Sequence, residues 1–206
     1  VSIHESGFSL FPGTGFADEL GGPGAEGSKV NIALDPGTGE LGWVEALEIV
    51  LPPLAAAFRP EILVTQHGAD SHAWDPLAHL RVTTTAMGRA AHLADGLAHL
   101  HTGGRWLATG GGGYDVYRVV PRTWAHVWLA QSHASALVEL DAAWRERWAA
   151  DAEQHGQSPI PLTLDDAPNA GEPRTAMDDR LDGRAADIAN DVLARALPLL
   201  NRRGDA

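Results

Sequence analysis

Residues 61–70 read Glu61-Ile62-Leu63-Val64-Thr65-Gln66-His67-Gly68-Ala69-Asp70. Residues 61–66 are a nearly continuous apolar run of strand length, the pattern of a strand buried in a parallel sheet. Gly68-Ala69 turns the chain at the carboxyl end of that strand, and Asp70 follows. Upstream, residues 43–58 read as a helix with Val44, Leu47, Val50, Leu51, Leu54 and Phe58 on one face. Pro52 and Pro53 should kink or split it, and Pro60 lies just past its end. Residues 29–34 read as a short strand, and residues 7–28 as a loop punctuated by Gly and Pro. Downstream, residues 84–101 read as a helix and residues 105–109 as a strand. Four glycines and Tyr114 come next, then a helix from about 115 to 136. Strand, helix, strand and helix in alternation predict an α/β fold with a parallel sheet.

The 206 residues are 44% hydrophobic, enough for one ordinary domain with a sizeable core. Fifteen basic and 27 acidic side chains leave a formal charge of -12. Such a surface repels phosphates, which argues against nucleic acid and anionic membrane as partners and favours a basic substrate segment. Acidity also serves simply to keep a protein in solution. No cysteine is present, so disulfides and thiolate zinc sites are excluded, and any metal must be held by His and carboxylates. No apolar run reads as long enough to span a bilayer, and no basic-then-apolar signal opens the chain. The expectation is a cytoplasmic protein. The chain opens at Val1 inside the β-type stretch Val1-Ser2-Ile3-His4. A strand needs neighbours, so this opening reads as a cut through a larger domain.

Past residue 138 the character changes. Residues 138–152 read as an amphipathic helix with Trp144 and Trp148, and residues 156–173 as a loop or linker. Residues 175–200 read as a charged helix with Ile188, Val192, Leu193 and Leu197 on one side. The chain therefore divides into residues 1–150, part of a domain, and residues 151–206, an extension of linker plus helix. That extension is expected to cover the sheet or to meet a partner, and shows no chemistry.

Ligands in open α/β sheets bind beyond the carboxyl ends of the strands. Two such ends carry chemistry: Gln66-His67-Gly68-Ala69-Asp70, and Gly110-Gly111-Gly112-Gly113-Tyr114. Parallel neighbouring strands would bring Asp70 and Tyr114 to one rim. Asp70 offers a carboxylate oxygen to Zn²⁺, and Tyr114 an O–H to an oxygen on which charge develops. Together they suit metal-assisted hydrolysis of an amide or ester. Each piece also has an ordinary reading. Asp70 could be a turn or helix cap, the glycine run a tight loop, and His67 a satisfied buried imidazole. Asp70-x-His72 is a tempting ligand pair, because extended residues two apart face the same way. A catalytic zinc takes three protein ligands and one open position, so the pair cannot complete a site.

Five stretches occur in a telling order: Ser2-Ile3-His4, Leu10-Phe11-Pro12-Gly13-Thr14-Gly15, Val30-Asn31-Ile32-Ala33-Leu34, Gln66-His67-Gly68-Ala69-Asp70, and Leu107-Ala108-Thr109-Gly110-Gly111-Gly112-Gly113-Tyr114. They resemble the second half of a histone deacetylase-type domain. Tyr114-Asp115 followed by Arg118-Val119-Val120-Pro121-Arg122 is most similar to the bacterial acetoin utilisation deacetylases. The resemblance covers residues 1–150 strongly and the tail weakly. It implies a three-layer arginase/deacetylase-like fold whose amino-terminal part is missing, and a zinc amidohydrolase acting on an acetyl-lysine protein substrate. By resemblance Asp70 is a zinc ligand, and Tyr114 polarises the acetyl carbonyl. Phe11, Leu77 and Gly112 line the substrate tunnel. Ser2 and the Ile3 carbonyl belong to a structural monovalent-cation site, taken by K⁺. Asp75-Pro76 is read as structural, and His72 receives no role. The remaining zinc ligands, an Asp-x-His pair, and a pair of adjacent histidines are expected upstream of Val1, so this chain alone is expected to be inactive. Two other readings stand beside this one: deacetylation of a small acetylated amine such as a polyamine, and a truncated, non-catalytic binding module.

Overall fold

A computed structural model describes residues 1–135, 139–166 and 173–204. The elements run β1 (Ser2–Glu5), β2 (Asn31–Leu34), α1 (Glu40–Phe58), β3 (Leu63–His67), α2 (Thr84–Thr102), β4 (Trp106–Gly110), α3 (Val120–Ser132), α4 (Ala142–Gln154) and α5 (Ala176–Gly204). The fold is α/β with parallel strands, as the alternation predicts. Among the described residues the strands form two separate pairs. β1 lies parallel to β2 with Ser2 opposite Asn31, and β3 lies parallel to β4 with Leu63 opposite Trp106 and His67 opposite Gly110.

The two pairs are covered differently. Ile32 and Leu34 of β2 are fully buried in one core cluster with residues of α1 and α5. The expected burial of β3 is not seen. Leu63, Thr65 and His67 are half-buried, whereas Val64 is 59% exposed, as is Leu107 of β4 at 54%. The reason is one-sided cover. Trp106 and Ala108 pack against Ala91 of α2 and Val127 and Ala130 of α3, while the alternate residues face outward. An apolar run cannot distinguish a strand covered on both faces from one covered on one.

α1 runs unbroken through Pro52 and Pro53, so the expected split does not occur. Each proline removes one backbone donor, but Val44, Leu47, Val50 and Leu54 are buried in the main core and hold the helix in register. Among the described residues α1 is the one helix long and apolar enough to cross a membrane, contrary to the expectation of none. It packs instead against α5 and α2 as a core helix.

α3 is shorter than expected. Residues 116–119 form turns, Pro121 sits in the first helical turn, and the left-handed His133 ends the helix. The expected end at Ala136 and the start of the next helix at Val138 lie outside the described residues. α4 begins at Asp141, whose side chain accepts from the Trp144 N–H. α5 presses Ala185, Ala189, Val192, Ala196 and Leu200 into the core beside α1. The contact is close: the Gly42 N–H donates to Asp182 Oδ1 at 2.9 Å, where a Cβ on residue 42 would collide.

Residues 160–166 are tied to the core by the buried Ile160 and Leu164, by hydrogen bonds to the Leu164 and Asp166 backbone, and by the Asp166 carboxylate. Asp166 Oδ2 accepts from His72 Nε2 at 2.8 Å, from the Thr84 N–H at 2.9 Å and from the Thr84 hydroxyl at 2.8 Å. Asp166 Oδ1 accepts from Arg122 Nη1 at 2.6 Å. Burial alone would raise its pKa. The His72 hydrogen bond, the Arg122 charge and the Thr84 N–H outweigh burial and hold it below the usual carboxylate range. The carboxylate also sits at the amino terminus of α2, where the helix dipole favours negative charge.

A depressed native pKa contributes stability that is full above the unfolded carboxylate pKa near 4 and is lost as pH falls below it. Asp166→Ala leaves Arg122 buried without its counter-charge. It should cost roughly 3 kcal/mol in urea unfolding at pH 7. The difference from the unsubstituted chain should shrink as the pH is lowered below about 4.

Candidate functional site

The loops after β3 and β4 are laced together. The Ala69 N–H donates to the Gly112 carbonyl at 2.6 Å. A Cβ on Gly111 would fall 2.8 Å from the Gly68 nitrogen. One on Gly112 would fall 2.2 Å from Asp70 Oδ2, and one on Gly113 2.8 Å from the Ala69 Cβ. Gly113 also has φ +130°, which side-chain-bearing residues avoid. The glycine run is therefore the condition for the two loops to touch. It brings the Asp70 carboxylate against the backbone two residues before Tyr114.

Asp70 is half-buried, and desolvation raises its pKa. A hydrogen bond from its own backbone partly opposes this, while the charge of Asp75 adds to the rise. Among the described residues no basic side chain pairs with it. A carboxylate whose charge is disfavoured in this way gains from a cation, so Asp70 fits one oxygen ligand of a metal. Among the described residues no group of three possible metal ligands includes Asp70.

His72 does not join it. The Trp74 N–H donates to His72 Nδ1 at 3.0 Å, so the proton of the neutral ring lies on Nε2 and is given to Asp166. The residue is 1% exposed, and both nitrogens are engaged in the core. His67 is half-buried, with Nε2 2.7 Å from the Thr65 hydroxyl. Burial pushes its pKa down.

Asp75, read from sequence only as structural, connects the site residues. Its Oδ1 accepts from the N–H groups of Leu77 at 2.9 Å and Ala78 at 3.1 Å, an Asx-type turn of the kind Asp-Pro favours. Its Oδ2 accepts from the Tyr114 N–H at 2.9 Å. Gln157 holds the same loop from the other side. Its Nε2 donates to the Tyr114 carbonyl, and its Oε1 accepts from the Tyr117 N–H. The sequence carries no signal for Gln157, which sits in the stretch read as linker.

The side chains of Tyr114 and Leu77 are about half exposed. Phe11 is 93% exposed on the loop after β1. That loop follows Glu5, a buried carboxylate that accepts from the His79 N–H at 2.6 Å and so links β1 to the segment just past Leu77. Ser2 and Ile3 lie on β1, in the other strand pair from β3 and β4. The structure thus brings Asp70 against Gly112 and links Leu77 to Tyr114 through Asp75. It sets Phe11, Ser2 and Ile3 on a separate strand pair and loop. A groove of about 190 Å³ beside β3 and β4 is lined by His67, Thr109, Trp124 and Trp128, and includes neither Asp70 nor Tyr114.

The family described as histone deacetylase domain matches residues 1–131. The acetoin utilization protein AcuC of Bacillus subtilis (strain 168) is 43% identical over 148 residues, 72% of this chain and 38% of that protein. The protein of the same name from Staphylococcus xylosus is 38% identical over 148 residues, 71% of this chain and 38% of that protein. The chain thus spans 38% of the length of these relatives. A crystal structure of an HDAC homolog complexed with SAHA shares the fold, with a TM-score of 0.73 and 24% identity. The match covers 93% of this chain and 49% of the other.

Asp75→Ala removes the acceptor of three N–H groups at once. It should lower stability by about 2 kcal/mol and speed hydrogen exchange at the Leu77 and Tyr114 amides, with little change in α5. Unchanged exchange at Tyr114 would count against Asp75 as the link.

Proposed function

The chain belongs to the histone deacetylase domain family, and from that premise we propose that it is the carboxyl-terminal portion of a zinc-dependent protein lysine deacetylase. The observation that supports this most is the lacing of the Asp70 loop to the Gly112–Tyr114 loop. It sets a carboxylate with no basic partner among the described residues beside a loop that presents an exposed phenol.

In this reading Asp70 is the zinc ligand that this chain contributes. Zinc, when bound, polarises an amide carbonyl and activates water for attack on it. A catalytic zinc takes three protein ligands, so the others, and the histidine that serves as general base, come from residues outside these 206, upstream of Val1. The chain alone is then inactive. Tyr114 directs its O–H to the acetyl oxygen and stabilises the negative charge that builds there. Asp75 and Gln157 hold the backbone from which that phenol projects. Phe11 and Leu77 present apolar side chains to the methylene stem of the lysine. Gly112 keeps the backbone free of a side chain that would strike Asp70. The Ser2 hydroxyl and Ile3 carbonyl are hard oxygen donors of the kind K⁺ takes, and form part of a structural cation site.

The acidic surface suits a cationic protein substrate. The names of the relatives suggest a role in acetoin or acetate use, with an acetylated metabolic enzyme as substrate, in the cytoplasm. In the complete protein, Tyr114→Phe should lower kcat/KM on an acetyl-lysine peptide about a hundredfold, as for loss of an oxyanion donor, with unchanged unfolding. Asp70→Asn should lower zinc content. Turnover unaffected by Tyr114→Phe would overturn the assignment, and faster turnover of an acetylated polyamine than of the peptide would move the substrate to small amines.

A further inference from the structure

We propose that Asp95, His99 and His133 form a second divalent transition-metal site, separate from Asp70 and independent of the proposed deacetylase activity. Asp95 and His99 lie one turn apart on α2 and so share a face. His133 reaches the same point from the end of α3. One ligand atom from each lies within 4.8 Å of the others. His99 Nδ1 is 3.3 Å from Asp95 Oδ1 and donates to the Asp95 backbone carbonyl at 3.0 Å, a hydrogen bond that a metal on Nδ1 would replace, and His133 Nε2 is 3.3 Å from either Asp95 oxygen.

Those lengths carry the argument. Metal–ligand bonds near 2.05 Å at tetrahedral angles put neighbouring ligand atoms about 3.3 Å apart. Two of the three edges already have that length. The third edge, between the ligand nitrogens of the two histidines, is no longer than 4.8 Å, and binding would shorten it by turning two exposed rings and releasing the His99 hydrogen bond. Two imidazoles and one carboxylate, with solvent completing the shell, suit Zn²⁺, Ni²⁺ or Cu²⁺. They do not suit Mg²⁺ or Ca²⁺, which require oxygen ligands. The side chains are accessible: His99 and His133 are 55% and 60% exposed, and Asp95 is 20% exposed. His133 holds its ring there from a left-handed backbone, φ +52°, a conformation that few residues other than glycine adopt. Asp95 lies eleven residues along α2 from Thr84, on the order of 16 Å from the end that carries the Asp166 network. A bound metal would join the carboxyl-terminal part of α2 to the end of α3, where α2 and α3 pack together.

The test uses the untagged 206-residue chain, stripped with a chelator and titrated with Zn²⁺, then with Ni²⁺, by calorimetry. Histidine ring signals are followed by NMR. The chain and its Asp70→Asn variant should each bind one equivalent, with the His99 and His133 signals shifting. His99→Ala and His133→Asn should each weaken binding by more than about tenfold. Asn is chosen at 133 because it accepts the left-handed backbone. Excess Mg²⁺ should not displace the metal. Absence of binding, binding that survives both histidine substitutions, or binding lost only in Asp70→Asn would overturn the proposal. Loss of the site with zinc still held at Asp70 in the complete enzyme, or the reverse, separates this inference from the proposed function.

Discussion

One buried carboxylate sets the positions on which the site depends. Asp166 takes hydrogen bonds from His72, Thr84 and Arg122. His72 lies two residues past Asp70, Thr84 opens α2, and Arg122 lies in the first turn of α3, eight residues past Tyr114. The loops that carry Asp70 and Tyr114 are thus both anchored, a few residues downstream, to the same charge. Arg122 also donates through Nε to the Arg118 carbonyl, and Arg118 pairs with Asp115. The chain that leaves Tyr114 is therefore fixed at each step into α3. A buried ion pair of this kind is weak evidence of added stability, since desolvation consumes much of the attraction. Its contribution here is positional, because its donors come from three separate segments.

The rim is built in the opposite way, by removing side chains. Gly111, Gly112 and Gly113 each stand where a Cβ would collide with the Gly68–Asp70 loop. Once the loops touch, the Ala69-to-Gly112 hydrogen bond locks them, and Asp75 and Gln157 fix the Tyr114 backbone from two sides. In the proposed reaction the phenol needs freedom to meet an oxygen whose position changes as it is attacked. Its backbone needs none. The structure separates the two: main chain held by two side-chain hydrogen bonds, side chain half exposed.

What the sequence made legible was periodic or punctuated. Helical faces, the parallel pairing implied by alternation and the two glycine-bearing loops follow from spacing alone, and ordered motifs supplied the family and left Asp70 as the one ligand. The rest needed partners distant in sequence. Asp166 stands 94 residues from His72 in a Pro- and Asp-rich stretch with the composition of a linker, and Gln157 is a glutamine in a loop. No local rule marks either as a ligand of the core. His72 shows the reverse error that spacing invites. Two residues from Asp70, it looks like a second metal ligand, yet the Trp74 N–H fixes its tautomer and turns Nε2 inward. The persistence of α1 through two prolines has the same lesson. Local propensity predicted a break, and burial of Val50 and Leu54 outweighed it.

The charge at Asp70 reveals how the scaffold divides its work. The other buried carboxylates of this region are answered: Asp166 by Arg122 and His72, Asp75 by three N–H groups, Glu5 by His79. Asp70 has its own backbone alone, and burial disfavours its ionised form. An uncompensated carboxylate lowers the stability of the fold, and this one lies against Gly68 and Gly112, where a Cβ would strike its oxygens. A fold that satisfies each neighbouring acid and leaves this one without a basic partner among the described residues supports the proposal that Asp70 meets a bound cation. That asymmetry, more than any single distance, distinguishes the metal-ligand reading of Asp70 from a turn or a helix cap, either of which would have engaged the carboxylate with a backbone donor beyond its own.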